Sequence, residues 1–554
     1  MVVPLDFPYR LLVLSLAMNR IWAEPLLRRA LTAVRSRVLG GRAHPPGLRP
    51  VSNFLFDSAP RPLDYPVQFS IIIPTYNRSR LLSLCLAALA QQTEPADHFE
   101  VIVVVDGSTD DTREMLSRLE TPYRLRVRVQ ANRGPGPARN AGFAGAAGDY
   151  CLFLDDDIVA GPELVRAHLR LQRERPGVVG LGRVATTPIK TAHGFVRHRA
   201  QEWTRLSQQN NRPTFLACWG ANVCAPRKAL EAVGGFADDL RYSEDVELGY
   251  RLEGFGLSFA FVEEGHARQL YDKDFHSLAI DTENLGAAAV ELSRRHPALR
   301  ALLPVGAFNR YRWAAAIRRL TLPFKLPIGL LSILDRLIDH LPETWRCYGY
   351  GFLGGHLYWR GVRRAVGSRG QWKQLTDGVV ILTYHEFARS RERASRFATP
   401  ARRFEWQMAW LRRLRYNVLS LEEYVRYRQE HALPPSRCVV INLDDANIEF
   451  QAIALPILRR HGLPATVSAF AQMRAAGKPV ACGIEEGPND PATPLFNLRR
   501  TEIPGDCSRL RFALALWTGT TCLRPGRSMF QHGLVAEAAG PETRYGRDTL
   551  EKDA

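Results

Sequence analysis

Lysine is scarce in this chain, and its cysteines nowhere pair up. Of 74 basic residues only 7 are lysine, which leaves 67 arginines against 56 acidic residues. The net charge of +18 predicts an anionic partner: a membrane surface, phosphorylated ligands or nucleic acid. Arginine bias with abundant alanine also follows from a GC-rich genome, so the bias itself says little about function. The nine cysteines stand far apart, at 85, 151, 218, 224, 347, 438, 482, 507 and 522. An odd number without paired spacing argues against a disulfide framework or a zinc knuckle and points to a reducing cytosol. No charge-free run reaches the ~18 residues of a membrane-spanning helix. The apolar run Leu11–Met18 is short and has no obvious cleavage site, so no secretory leader is expected. What remains is ordinary globular composition, 46% hydrophobic and 23% charged, which excludes a disordered or fibrous protein. A length of 554 residues predicts about three or four domains.

Pattern divides the chain further. Residues 1–66 read as a basic amphipathic arm and linker, with Arg10, Arg20, Arg28 and Arg35 among Leu11, Leu12, Trp22 and Leu26. Such a helix suits either an anionic membrane surface or the body of the protein. Residues 67–297 alternate apolar strands with amphipathic helices. The pattern predicts strands at Phe69–Ile73, Val101–Val105, Leu125–Val129 and Tyr150–Leu154, and helices near 80–91, 109–119 and 134–147. That is the signature of a parallel α/β sheet, whose ligands sit at the strand C-termini. Residues 298–375 form an arginine- and aromatic-rich helical connector suited to a headgroup interface or to internal packing. A second α/β pattern occupies 376–519. Residues 520–554 carry little periodicity and are expected to be poorly ordered.

Three acidic clusters follow strands or open helices in the first α/β region: Asp106 in VVVDGSTDDT, Asp155-Asp156-Asp157 in CLFLDDDIV, and Glu244-Asp245 in SEDVELGYRL. Strand alternation puts Asp155 and Asp157 on one side and Asp156 opposite. Two carboxylates that close repel unless a cation sits between them. Mg²⁺ or Mn²⁺, with open positions for phosphate oxygens, is the expected solution.

Taken in order, VQFSIIIPTYNRSRLLSLCLAALAQQ, VVVDGSTDDT, NRGPGPARNAGFAGAAGDYCLFLDDDIV, GANVCAPRKALEAVGGF and SEDVELGYRL resemble an inverting family 2 glycosyltransferase of the glycosyltransferase A fold, over about 67–297. The resemblance implies that Pro74, Thr75, Tyr76 and Asn77 line the nucleotide pocket. It implies that Asp106 contacts the base or ribose, although Val105 stands where many relatives carry a further acid. Arg139 would lie near the nucleotide, and Asp155 and Asp156 would belong to the donor site. Asp157, with Asp155, would bind the metal. Asp245 matches the catalytic base, with Glu244 beside it, and Gly220 and Asn222 match the acceptor side. A metal- or phosphate-contacting histidine is common some twenty residues past the base; the YDKDF register puts Gln269 there and leaves His266 as a surface residue. Ser243 is the expected N-cap of the helix that carries the base.

The later pattern, from VVILTYHEF through CVVINLDDANIEF to LPATVSAF, resembles a polysaccharide deacetylase of carbohydrate esterase family 4, an incomplete β/α barrel. Asp444 and Asp445 match its two carboxylates. After Asp445 no His-x-x-x-His pair follows. A metal needs several ligands to be retained, so these carboxylates read as vestigial and the region as inactive.

The composite expectation is a metal-dependent glycosyltransferase. It would move sugar from a nucleotide-sugar to a cell-envelope glycan or glycolipid acceptor, in the cytoplasm, peripherally on the inner face of a bacterial membrane. An active transferase–deacetylase pair needs the missing histidines. A non-catalytic basic scaffold has no use for ordered acidic motifs, so no nucleic-acid partner is expected. Donor sugar, linkage and oligomeric state are not legible.

Overall fold

The computed structural model describes residues 67–518 apart from 191–192, 210, 212, 390–397, 445–448, 469–488, 493–500 and 504–506. The expected N-terminal arm and C-terminal tail lie outside the described residues. The chain divides into two units: Met1–Asp377 with Tyr427–Ser436 and Asp490–Pro494, and Gly378–Arg426 with Arg437–Asn489 and Leu495–Ala554.

The first unit opens with β1 (Phe69–Thr75), α1 (Ser79–Leu89), β2 (Phe99–Asp106), α2 (Thr112–Arg118), β3 (Arg124–Gln130), α3 (Pro135–Phe143) and β4 (Tyr150–Leu154). β1 and β2 are apolar runs buried on both faces, as central parallel strands require. α2 starts later than the periodicity predicts. The Asp110 carboxylate takes the amides of Ser79 and Thr112, so it closes a turn in front of the helix. Then follow β5 (Ile158–Ala160), α4 (Leu164–Glu174), β6 (Val178–Pro188), α5 (Gly194–Gln209), β7 (Asn222–Pro226), α6 (Arg227–Val233), α7 (Glu244–Phe255), β8 (Ser258–Tyr271) and α8 (Phe275–Arg295).

One eight-stranded sheet results, in the order β3-β2-β1-β4-β7-β6-β8-β5. β3, β2, β1 and β4 run parallel, with Thr75 beside Val105 and Ile72 beside Phe153. β7 runs against β4, pairing Leu154 with Asn222. This reversal brings the start of β7 to the edge where β1, β2 and β4 end. β5 pairs with β8 in the register Ile158–Gln269. Register therefore brings Asp106 and Asp155-Asp156-Asp157 to one edge, and the start of α7 adds Glu244-Asp245 to the same cleft.

α7 is anchored by a buried carboxylate. Glu247, 2% exposed, accepts from Arg251 at 2.7–3.0 Å and from His296 at 2.9 Å. Arg251 also donates to the Gly235 carbonyl at 2.6 Å. The helix is thus tied to the turn after α6 and to the end of α8.

α9 (Arg312–Thr321), α10 (Ile328–Asp339), α11 (Glu343–Val366) and α12 (Arg369–Thr376) complete this unit. α8 and α11 cross with their backbones nearly touching: a side chain at Gly286 would strike the Tyr358 carbonyl, and one at Gly361 the Glu283 carbonyl. Much of the arginine here serves packing. Arg318 is buried near Trp359 and Phe308, and burial pushes its pKa down to about 10. Arg360 and Arg363 donate to the carbonyls of Leu326 and Leu322. No helix among the described residues is long and apolar enough to cross a membrane.

The second unit contains β9 (Val379–Tyr384), β10 (Glu386–Ala388), β11 (Ala398–Pro400), α13 (Ala401–Arg413), β12 (Asn417–Leu419), α14 (Leu421–Gln429), β13 (Cys438–Asp444), α15 (Leu455–His461), β14 (Thr466–Ser468), β15 (Thr501–Glu502) and α16 (Arg509–Thr518), with α14 running past the unit's edge at Arg426. Its sheet runs β12-β13-β9-β15 with β14 also on β13, every pair parallel. Leu382, Tyr384, Phe404, Met408 and Phe512 form its core. Among the described residues no barrel closes. Asp445 lies outside them, and of Asp444 only the backbone is described, closing β13.

The Glu247 network gives a stability prediction. Glu247→Gln should lower unfolding free energy at pH 7 by about 2–3 kcal/mol, the scale of lost charged hydrogen bonds. Burial opposes ionisation, but His296 and Arg251 prevail and hold the Glu247 pKa near 2, below its ordinary 4.5. A lowered folded pKa contributes stability that is complete above pH 4.5 and lost as pH falls through 2. Denaturant titrations should therefore show the wild-type advantage shrinking with acid; a pH-independent difference would contradict the assignment.

Candidate active site

Sequence-predicted residues from β1, β2, β4, β7 and α7 meet around a cleft of ≈ 710 Å³. Pro74, Thr75 and Tyr76 line it, following β1. Asn77 does not line it. In the left-handed region (φ 53°), it takes the Thr109 amide at 2.7 Å and gives its own amide to Ser108, pinning the β1 loop to the β2 loop. Asp106 lines the cleft, with its carboxylate accepting from Gln130 at 2.7 Å and from the amides of Arg133 and Gly134 at 2.9 and 2.8 Å. Those bonds shape the loop that enters α3.

The three aspartates part ways after β4. Asp155 pairs with Arg139 at 2.8 Å, whereas Asp156 and Asp157 share the guanidinium of Arg78, at 2.9 and 3.2 Å. The expected alternation fails because the strand ends at Leu154 and the chain turns at Asp156-Asp157, where a period of two no longer applies. Thr75 also donates to Asp156 at 2.8 Å. Gln269 donates to both oxygens of Asp157, at 3.2 and 3.3 Å. Burial and then the charge of Asp155 push the Asp157 pKa up to about 7, against the pull of Arg78.

Across the cleft, Ser243 precedes α7 in the left-handed region (φ 59°) and makes no side-chain cap. Its backbone conformation turns the hydroxyl from the first-turn amides. Asp245 instead takes the Gly220 amide at 2.8 Å and the Val246 amide at 2.7 Å. Burial raises its pKa, and these donors together with Arg139 oppose the rise. Glu244, 5% exposed, is paired with Arg139 at 2.6 Å. Burial, then the charge of Asp245, raises the Glu244 pKa to about 7.

Arg139 is the hinge between the two sides, donating to Asp155 with one nitrogen and to Glu244 with another. It is 4% exposed and lies 5.4 Å from the Phe236 ring centre. A side chain at Gly220 would come within 2.6 Å of the guanidinium, so that position must stay bare. Asn222 lines the cleft, but its amide is committed to the Gly265 carbonyl and to His168, both at 2.9 Å.

His266 is exposed and stands outside the cleft lining, while Gln269 reaches it. Sequence reasoning missed Arg78, although it directly follows Asn77 in the PTYNR run. It also missed Lys273, which lines the cleft and pairs with Asp281 at 2.8 Å, and the edge-to-face pair Trp203–Trp219. Arg78 was findable from charge: two adjacent buried carboxylates require a cation.

Comparison with known proteins bears on part of the first unit. The Glycosyl transferase family 2 model matches residues 70–234. Validoxylamine A glucosyltransferase of Streptomyces hygroscopicus subsp. jinggangensis is 30% identical over 260 residues, 42% of this chain and 61% of that protein. Poly(ribitol-phosphate) beta-glucosyltransferase of Bacillus spizizenii is 34% identical over 121 residues, 21% of this chain and 19% of that one. The chain thus spans at most about three-fifths of the length of these curated relatives. Among solved structures, the Pyrobaculum calidifontis mannosyltransferase PcManGT in complex with GDP-Man and Mn²⁺ aligns at 18% identity and a TM-score of 0.41, over 66% of this chain and 100% of that one. So loose a likeness adds nothing to the assignment. The first unit accordingly carries a glycosyl transferase family 2 domain at residues 70–234.

Proposed function

We propose that this protein transfers a sugar, with inversion, from a nucleotide-sugar donor to a cell-envelope glycan or glycolipid. The observation that carries the reading is the opposition of Asp245 to the Asp155–Asp157 turn across one cleft, with Arg139 joining the two sides. Relatives named as glucosyltransferases, one of them acting on poly(ribitol-phosphate), support the substrate class.

The donor set fits a hard divalent ion such as Mg²⁺ or Mn²⁺. Asp155 and Asp157 offer oxygen ligands, and burial keeps Asp157 ready to exchange a proton for a cation near neutral pH. Among the described residues no cluster of three or more Asp, Glu, His or Cys side chains is arranged to hold an ion alone. Donor phosphate oxygens would therefore complete the shell. When bound, such an ion supplies charge neutralisation for the departing nucleotide diphosphate.

The chain's own residues do the rest. Pro74, Thr75, Tyr76 and Asp106 border the nucleotide end, and Arg78 and Arg139 hold the carboxylates in place. Asp245 accepts the proton of the acceptor hydroxyl as the new bond to the anomeric carbon forms and the bond to phosphate breaks. Its raised pKa strengthens it as a base, and the Gly220 amide fixes its direction. Gly220 and Asn222 border the acceptor side.

Asp245→Asn should lower kcat by about 10²–10⁴-fold, the usual worth of a positioned base. Donor-induced thermal stabilisation should stay unchanged. Asp157→Ala should abolish the dependence of turnover on added Mn²⁺ or Mg²⁺. Nucleoside diphosphate release from a panel of nucleotide-sugars measures both, and full activity in both variants would sink the mechanism.

The second unit is read as a silent deacetylase remnant, since no histidine pair follows Asp445. Chitooligosaccharides with added Zn²⁺ should yield no acetate; steady acetate release would overturn this.

Peripheral attachment to the inner face of a cytoplasmic membrane is part of the reading. Leu320, Phe324, Leu330, Ile333, Leu337 and Trp345 are 49–69% exposed, with Lys325 and Arg336 exposed among them. Amphipathic segments of this kind suit an anionic headgroup layer. The protein should co-sediment with phosphatidylglycerol vesicles, less so as salt rises, and Phe324→Asp with Leu337→Asp should release it. Binding indifferent to both salt and substitution would count against attachment.

A further inference from the structure

A second cavity, ≈ 300 Å³, adjoins the cleft, and Arg199, Trp203, Ser243, Val246, Thr282 and Leu285 line both. Ser243 and Val246 flank Glu244 and Asp245, so the cavity opens beside the base. Its volume lies at the small end for ligand pockets. Phe195, Leu292, Phe352 and Trp359 give it aromatic and aliphatic walls.

One wall is unexpectedly bare. α11 presents Gly351, Gly354 and Gly355 to the cavity. Glycine inside a helix costs about 1 kcal/mol relative to alanine. Elsewhere in α11 the cost has a packing reason, since side chains at Gly349 and Gly361 would meet Ile338 and the Glu283 carbonyl. At Gly351 and Gly355 a side chain would meet nothing within 4 Å, and at Gly354 only the Phe195 ring at 3.5 Å. Gly351 is exposed to solvent, but at half-buried Gly355 packing does not demand a glycine; what it preserves is open volume.

The cavity also leads outward. Ile317 both lines it and is 37% exposed, and Leu320 on the same helix and Phe324 just beyond it are 69% and 61% exposed.

We infer that this cavity receives the hydrocarbon part of an amphiphilic acceptor whose hydroxyl reaches Asp245. The acceptor is then lipid-linked rather than a wholly hydrophilic glycan, an inference that rests on the glycosyl-transfer reading. An apolar pocket continuous with the base and with an exposed apolar band has the layout for a molecule with one wet end and one dry end.

The probe is n-octyl β-D-glucopyranoside below its micelle concentration, with methyl β-D-glucopyranoside as control, titrated calorimetrically into the full chain. The octyl compound should bind saturably at one site and the methyl compound should not bind. Gly355→Leu should weaken octyl binding at least tenfold, and Gly355→Ala less. Both replace glycine with better helix formers, so the fold should hold. Thermal stabilisation by UDP or GDP should be the same in both variants as in the wild type. Absent or non-saturating octyl binding, or equal binding by Gly355→Leu, would overturn the inference. If neither nucleotide stabilises the wild type, the transfer reading itself fails; nucleotide stabilisation without octyl binding overturns the cavity assignment alone.

Discussion

The site depends on one buried guanidinium. Arg139 bonds Asp155 on the donor side and Glu244 on the base side, and it lies under neither solvent nor screening salt. Two opposing acidic clusters in a low-dielectric cleft would otherwise spread apart or take up protons. An arginine suits the place because it stays charged at any working pH and presents several donors in one plane. The bare backbone at Gly220, the loop through Asp106 into α3 and the placement of α7 all serve this contact. The strand reversal at β7 brings Gly220, whose amide bonds Asp245, to the edge where Asp155 emerges.

The sheet was legible in the sequence because its central strands are continuous apolar runs, and such runs survive any choice of helix boundary. The strands β7 and β5, which run against the rest of the sheet, and their neighbours β6 and β8 were less so. Their pairing is set by contacts between residues far apart in the chain, which no local period reports. In the site, the acids could be named because carboxylates at strand ends are conspicuous. Their partners could not. Arg78 looks like any surface arginine until the turn at Asp156-Asp157 makes it bridge two acids. Ser243 has the residue type of a cap, but its left-handed backbone points it elsewhere. Residue type gave the inventory, and backbone direction decided the roles.

The positive charge also looks different in the folded chain. Part of the arginine excess is consumed inside the first unit as hydrogen-bond donors to carbonyls, as with Arg251, Arg318, Arg360 and Arg363. Those residues close helix ends and turns where a lysine would satisfy fewer acceptors. Each keeps its positive charge, but its donors are engaged within the fold.

β3 carries the same logic to the margin of the sheet. It is the outermost strand beside β2 among the described residues, and arginine occupies alternate positions at 124, 126 and 128. Arg126 and Arg128 turn back onto the carbonyls of Gly145 and Ala141. At the other margin, β5 is only three residues long. A free strand edge invites pairing with a neighbouring molecule, and short or charge-studded edges discourage it. Edge-to-edge pairing of two such sheets is thus disfavoured by the brevity of β5 at one margin and the arginine content of β3 at the other.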